Sequence, residues 1–120
     1  MTGTSKYRHI EILRSQKAVV LVPDDNLTGD VATEELLTIF GELEKDDAPC
    51  VVLDLEQVDF INSLALGVII SGHVRISRRG GQLHLCNVSS RIRKVITITK
   101  LLETLSLRDT RDAATSLCAG

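Results

Sequence analysis

Three histidines, three cysteines and a serine at a helix entry are the residues of this 120-residue chain whose chemistry could amount to a function. A hydrolase needs a nucleophile, a base and an orienting acid around a pocket. His9, His73 and His84 are expected on an edge strand, in mid-helix and on a strand. None stands beside a serine or cysteine in a nucleophile motif such as G-x-S-x-G, so all three read as surface or packing histidines. Cys50, Cys86 and Cys118 are an odd, dispersed set with no C-x-x-C and no histidine at metal spacing. Neither a disulfide framework nor a zinc module is expected, and all three read as small apolar residues. No Walker loop or G-x-G-x-x-G is present, and Gly80-Gly81 closes a helix rather than opening one. No catalytic centre, metal or cofactor is expected.

Ser63 is different. A buried strand over Cys50–Leu55 (CVVLDL) leads through the loop Glu56–Asn62 into a helix at Asn62-Ser63. First-turn amides of a helix lack intrahelical partners, and the dipole places about half a positive charge there. A hydroxyl at that position is suited either to capping the helix or to receiving a phosphoryl group. Position 66 is Leu, not Glu or Gln, so the reciprocal capping box is incomplete. Phe60 and Ile61 alternate with Asp59 and Asn62, and both are expected to pin the loop to the core. Val20–Asp25 and Val51–Leu55 also mimic the acidic strands of a receiver domain. Only 28 residues separate Asp25 from Asp54, room for a single helix where a receiver needs helix, strand and helix.

The elements that position Ser63 follow from periodicity. Tyr7–Leu13 alternates as a half-exposed edge strand, and Ala18–Val22 is an apolar strand stopped by Pro23-Asp24-Asp25-Asn26. Thr28-Gly29-Asp30 then precedes a helical pattern that runs to about Lys45. After Cys50–Leu55, a second helix fits Ser63–Arg79, ending in basic residues and Gly80-Gly81. Strand Gln82–Val88, a helix from Ser89-Ser90 to about Glu103, strand Leu105–Arg108 and helix Asp112–Cys118 complete the order β-β-α-β-α-β-α-β-α. The fold class is α/β: one domain over residues 1–120, with a mostly parallel sheet of about five strands, four helices and a loose terminus at 1–6.

Composition sets the outer bounds. Leu, Ile and Val number 38, and this aliphatic load with 25% charged residues excludes a disordered chain. No apolar run approaches the ~18 residues of a membrane span, and residues 1–25 are too charged for a signal peptide. A soluble cytoplasmic domain without membrane insertion is expected. Residues 1–59 hold thirteen acids against five Lys and Arg, whereas residues 60–102 hold seven Lys and Arg and no acid. Arg75, Arg78 and Arg79 could steer an acidic partner, or simply complement a helix C-terminus. Tyr7, Phe40 and Phe60 are too few aromatics to stack single strands, so nucleic acid is not an expected partner.

The segment Val52–Gly67, VLDLEQVDFINSLALG, resembles the signature of STAS domains, named for sulphate transporters and anti-sigma factor antagonists. In bacterial antagonists a strand resembling V-L-D-L leads through an aromatic residue to D-S-[ST]-[GA]-L-G at a helix start. The similarity covers roughly residues 15–118, including L-E-K-D-D at Leu43–Asp47 and R-x-G-G-x-L after the second helix. The resemblance implies a non-enzymatic switch that binds an anti-sigma factor serine kinase and so frees a sigma factor. It places phosphorylation at Ser63, reversed by a serine phosphatase, and partner contacts at Asn62, Ser63, Leu64 and Ala65. Gly67 falls on the family's close-packing helix glycine. Asn62 replaces the usual Asp, Leu64 a small or hydroxyl residue, and Ala65 a frequent Gly. A constitutive scaffold or transport accessory subunit, with Ser63 unmodified, is the alternative implied.

Overall fold

The computed structural model describes residues 3–101 and 103–118. Six strands form one sheet in chain order: β1 Gly3–Lys6, β2 Ile10–Arg14, β3 Val19–Pro23, β4 Cys50–Asp54, β5 Gln82–Cys86 and β6 Ser106–Arg108. The first two pairings are antiparallel, and those from β3 to β6 are parallel. The five expected strands are present. Residues 3–6, expected as a loose terminus, instead pair with Glu11–Arg14.

Helices α1 Val31–Leu43, α2 Ser63–Arg78 and α3 Ser90–Ile98 connect the parallel strands. Strand side chains alternate between faces. Val51 and Leu53 of β4 and Leu55 just after it join Leu36, Ile39 and Phe40 of α1, Ile69 and Ile76 of α2, and Ile92 and Ile96 of α3 in the main core. One face of the sheet therefore carries all three crossover helices, as right-handed connections between successive parallel strands require. The opposite face carries Val20, Val22, Val52 and Cys86 under Ala114 of α4, Arg111–Thr115, which continues as a 3₁₀ turn over Ser116–Cys118.

Close helix packing falls at an unexpected glycine. A Cβ on Gly67 would meet nothing within 4 Å, because that position faces solvent. A Cβ on Gly72 would lie 2.5 Å from Cδ2 of the buried Phe40 ring. Gly72, not Gly67, lets α1 and α2 approach.

The cysteine expectation is also corrected. Cys50, at the start of β4, is disulfide-bonded to Cys118 in the terminal 3₁₀ turn, with Cα atoms 5.7 Å apart, inside the usual range for a disulfide. Only Cys86 is free and buried as expected among the described cysteines. No described helix is long and apolar enough to cross a membrane.

Candidate functional site

The loop 56–62 follows β4, and a second loop holds it. Oδ1 of Asn26 accepts the amides of Asp59 at 2.8 Å and Phe60 at 3.0 Å. The amide of Leu27 donates to the Phe60 carbonyl, and that of Asn62 to the Leu27 carbonyl, closing a parallel bridge between Leu27 and Ile61. Both bridge side chains are buried. Burial of two large aliphatics and four backbone-directed bonds together fix the approach to α2.

At the helix start Asn62 is the cap: the amide of Ala65 donates to its Oδ1 at 2.9 Å. Ser63 is the first helical residue and is exposed. Capping and hydroxyl display, open alternatives from sequence, are thus divided between neighbours. Leu64 follows, 60% exposed although it is a large aliphatic. It leans on the turn before α1, where Gly29 has φ +84° and a Cβ would lie 2.9 Å from Leu64 Cδ2. A side chain at position 29 would be both strained and in collision.

Two expected roles are corrected here. Ala65 is fully buried and belongs to the core, so it is not a partner contact. Phe60 is half-buried and does not pin the loop inward as Ile61 does. Its ring instead lies under the Arg91 guanidinium, 5.0 Å from the ring centroid. The same Arg91 pairs with Asp59 at 2.6 Å, and Ser89 donates to the Asp59 carbonyl at 2.9 Å. The start of α3 thereby braces the loop laterally. Exposed pairs of this kind hold geometry more than they add stability.

Beneath the loop lies Asp54, which is fully buried at the end of β4. Burial alone would raise its pKa, but hydrogen bonds from Asn87, Arg111 and the Glu56 amide outweigh that and hold it below the ordinary 3.8. Arg111 Nε donates to Oδ2 at 2.7 Å, and Asn87 Nδ2 and the Glu56 amide both donate to Oδ1 at 3.0 Å. One carboxylate thus ties the first loop residue to Asn87, just after β5, and to α4. The neighbouring Cys86 thiol is pushed up to about 12 by burial and the Asp54 charge.

Residues 9–114 match the STAS domain family. The chain belongs to the STAS domain family. A Paenibacillus polymyxa anti-sigma F factor antagonist is 28% identical over 59 residues, 49% of this chain and 50% of that protein. The match therefore spans half the length of that relative. A Thermotoga neapolitana homologue of the anti-sigma factor antagonist candidate TM1081 is 28% identical over 95 residues, 79% of this chain and 84% of that protein. The solved anti-sigma factor antagonist STAS domain from Planctomyces limnophilus superposes with a TM-score of 0.82 at 23% identity, over 92% of this chain and 98% of its own. That likeness shows the fold.

Within this STAS domain two of the three histidines have polar partners, while Nδ1 of His73 in α2 is buried without a hydrogen-bond partner among the described residues. His9 Nδ1 lies 3.3 Å from Asp24, and buried His84 bridges Ser106 at 2.7 Å and Gln82 at 2.8 Å. The charge asymmetry is partly internal. Arg75 pairs with Glu44 at 3.2 Å and Arg79 donates to the Asp46 carbonyl, so two of the three candidate steering arginines join α2 to the end of α1. Asp54 was readable as an acid in an apolar strand that must find a partner. Nothing in the sequence pointed to Arg111, 57 residues away, or to Asn26 as the loop's clamp.

Proposed function

We propose that this STAS domain is an anti-sigma factor antagonist switched by phosphorylation at Ser63. Unmodified, it binds an anti-sigma factor serine kinase and so frees a sigma factor. The kinase transfers the γ-phosphoryl of ATP to Ser63 Oγ, and about −2 of charge on the docked surface weakens the complex. A serine phosphatase resets it. The names of the Paenibacillus and Thermotoga relatives support the partner class. The observation that carries the switch is the division of labour at the helix start: Asn62 caps α2, leaving the Ser63 hydroxyl exposed on a braced loop. The partner surface consists of Ser63, exposed Leu64 and the edge of Asn62. The protein itself performs no chemistry in this reading.

Intact mass of the protein from its native cell, before and after phosphatase, tests it together with phosphopeptide mapping. One phosphate at Ser63 is expected. Ser89 and Ser90, at the start of α3, are internal controls; Ser89 already caps Ile92 and donates to Asp59. Phosphate at either control and none at Ser63 would sink the assignment. No phosphate at all, with a stable partner recovered, would support a constitutive scaffold, the reading that neutral Asn62 favours.

A further inference from the structure

We propose that Cys50 and Cys118 form a reversible thiol–disulfide exchange site, worked by a low-molecular-weight thiol, that latches the C-terminal helix onto the open face of the sheet. The proposal stands apart from the reading of Ser63. Helix α4 has five residues, too few to persist without tertiary support. Ala114 is its only buried residue. Two ties hold the segment, one at each end: Arg111 to Asp54 at the end of β4, and Cys118 to Cys50 at its start. The second tie is covalent and depends on redox conditions, since disulfides persist in oxidising surroundings and open where thiols are kept reduced.

Access to the bond exists. Cys50 lines an open cleft of about 240 Å³ between the β2–β3 turn and the segment before β4, together with Arg14, Lys17, Asp46, Asp47 and Pro49. Cys50 and Cys118 are themselves only half-buried, so the bond can be reached from solvent. In the opening direction a thiolate RS⁻ attacks Cys50 Sγ, and Cys118 leaves as a thiolate that takes a proton. A second RSH resolves the Cys50–SR mixed disulfide. The products are two protein thiols and RSSR, with two electrons passed from the small thiols to the protein. Closing is the reverse, with RSSR as the oxidant.

The fold contains its own reporter. Cys86 lies beneath α4 in a cluster with Val20, Val22, Val52 and Ala114, and Cys118 packs against that cluster. While the latch is closed its thiol is buried and held to a pKa of about 12. Release of α4 uncovers it and restores an ordinary reactive thiol.

The full chain should be equilibrated across ratios of reduced to oxidised glutathione. It is then labelled with N-ethylmaleimide, either folded or after unfolding in denaturant. The unfolded label count should move from one to three as the ratio becomes reducing. Labelling of Cys86 in folded protein should accelerate ~10-fold or more over the same range. Cys118→Ala should label Cys86 at the fast rate under every condition, and Cys50→Ala should match it, so the result does not hang on one variant. Cys118→Ala should also trap a glutathione adduct on Cys50. Three labels at every ratio, or a Cys86 rate that ignores both redox state and Cys118→Ala, would overturn the latch.

Discussion

The amide of Ala65 donates to Asn62 Oδ1 at 2.9 Å, and this bond leaves the hydroxyl of the intervening Ser63 with no capping duty. Asn and Asp cap almost equally well, so Asn62→Asp should change stability by less than about 0.5 kcal/mol. The aspartate, however, can take the hydroxyl proton or help hold the kinase's metal ion, which asparagine does poorly. Asn62→Asp should speed phosphorylation of Ser63 by ~10-fold, the low end of what a general base supplies. The check is the rate with one kinase at saturating ATP, after both proteins are shown to melt alike. Asn62→Ala should instead lose about 1 kcal/mol of stability, because the Ala65 amide loses its acceptor.

Ser63→Asp isolates the charge. Position 63 is the first residue of α2, where a carboxylate is favoured by the helix dipole, so the variant should melt no lower than wild type. Its complex with the partner should nevertheless weaken by roughly 5- to 150-fold, the equivalent of ~1–3 kcal/mol for a mismatched contact. Ser63→Ala should bind as wild type and resist switching. Titration calorimetry against the purified partner decides this; equal affinities for all three proteins would point to the scaffold reading.

What the sequence made legible was set by local chemistry. β3 and β4 are apolar, β-branched runs and β5 alternates leucines with polar residues, all strand patterns, and α2 carries both its cap and its basic, glycine-terminated end. The order of these elements then leaves one topology. The misplaced residues were those whose role depends on an element distant in the chain. Gly3–Lys6 has no alternating pattern and becomes a strand only by pairing with β2. Phe60 is turned outward by Arg91, 31 positions on, and Gly72 matters because Phe40 of α1 lies against it. Cys50 and Cys118 are separated by 68 residues and meet only because α4 folds back across the sheet. Ser63 could be singled out because its helix entry is local, whereas the clamp from Asn26 and Leu27 that presents it is not.

The two helix glycines give opposite expectations. Gly72→Ala drives a methyl into the Phe40 ring, which is fully buried and has nowhere to swing. Overpacking of this kind costs about 1–3 kcal/mol. Gly67→Ala adds a methyl in open solvent and should gain up to about 1 kcal/mol from helix propensity. Urea unfolding of the two variants measures both; a neutral Gly72→Ala would mean that α1 and α2 can separate without penalty.

Acid should destabilise the fold in two stages, each with the same sign. Burial, helped by the positive charge of Arg108, lowers the pKa of His84 below its ordinary 6.5. As pH falls below 6.5 the unfolded chain takes up this proton before the folded one does. Stability is therefore complete above pH 6.5 and declines as pH drops toward the folded pKa. The neutral imidazole fits its site, with Nε2–H donating to Gln82 and Nδ1 accepting from Ser106. Asp54 acts lower down. Its folded pKa lies under 3.8, so the unfolded state protonates first and stability falls again as pH drops through and below that value. His84→Gln should flatten the limb that begins just below pH 6.5 and leave the acid limb in place. Asp54→Asn should remove the acid limb and cost ~1–3 kcal/mol even at pH 7, because Arg111 loses its charged partner. Urea midpoints taken from pH 3 to pH 8 for wild type and both variants separate the stages. A His84→Gln curve that kept the upper limb would assign that limb to another group.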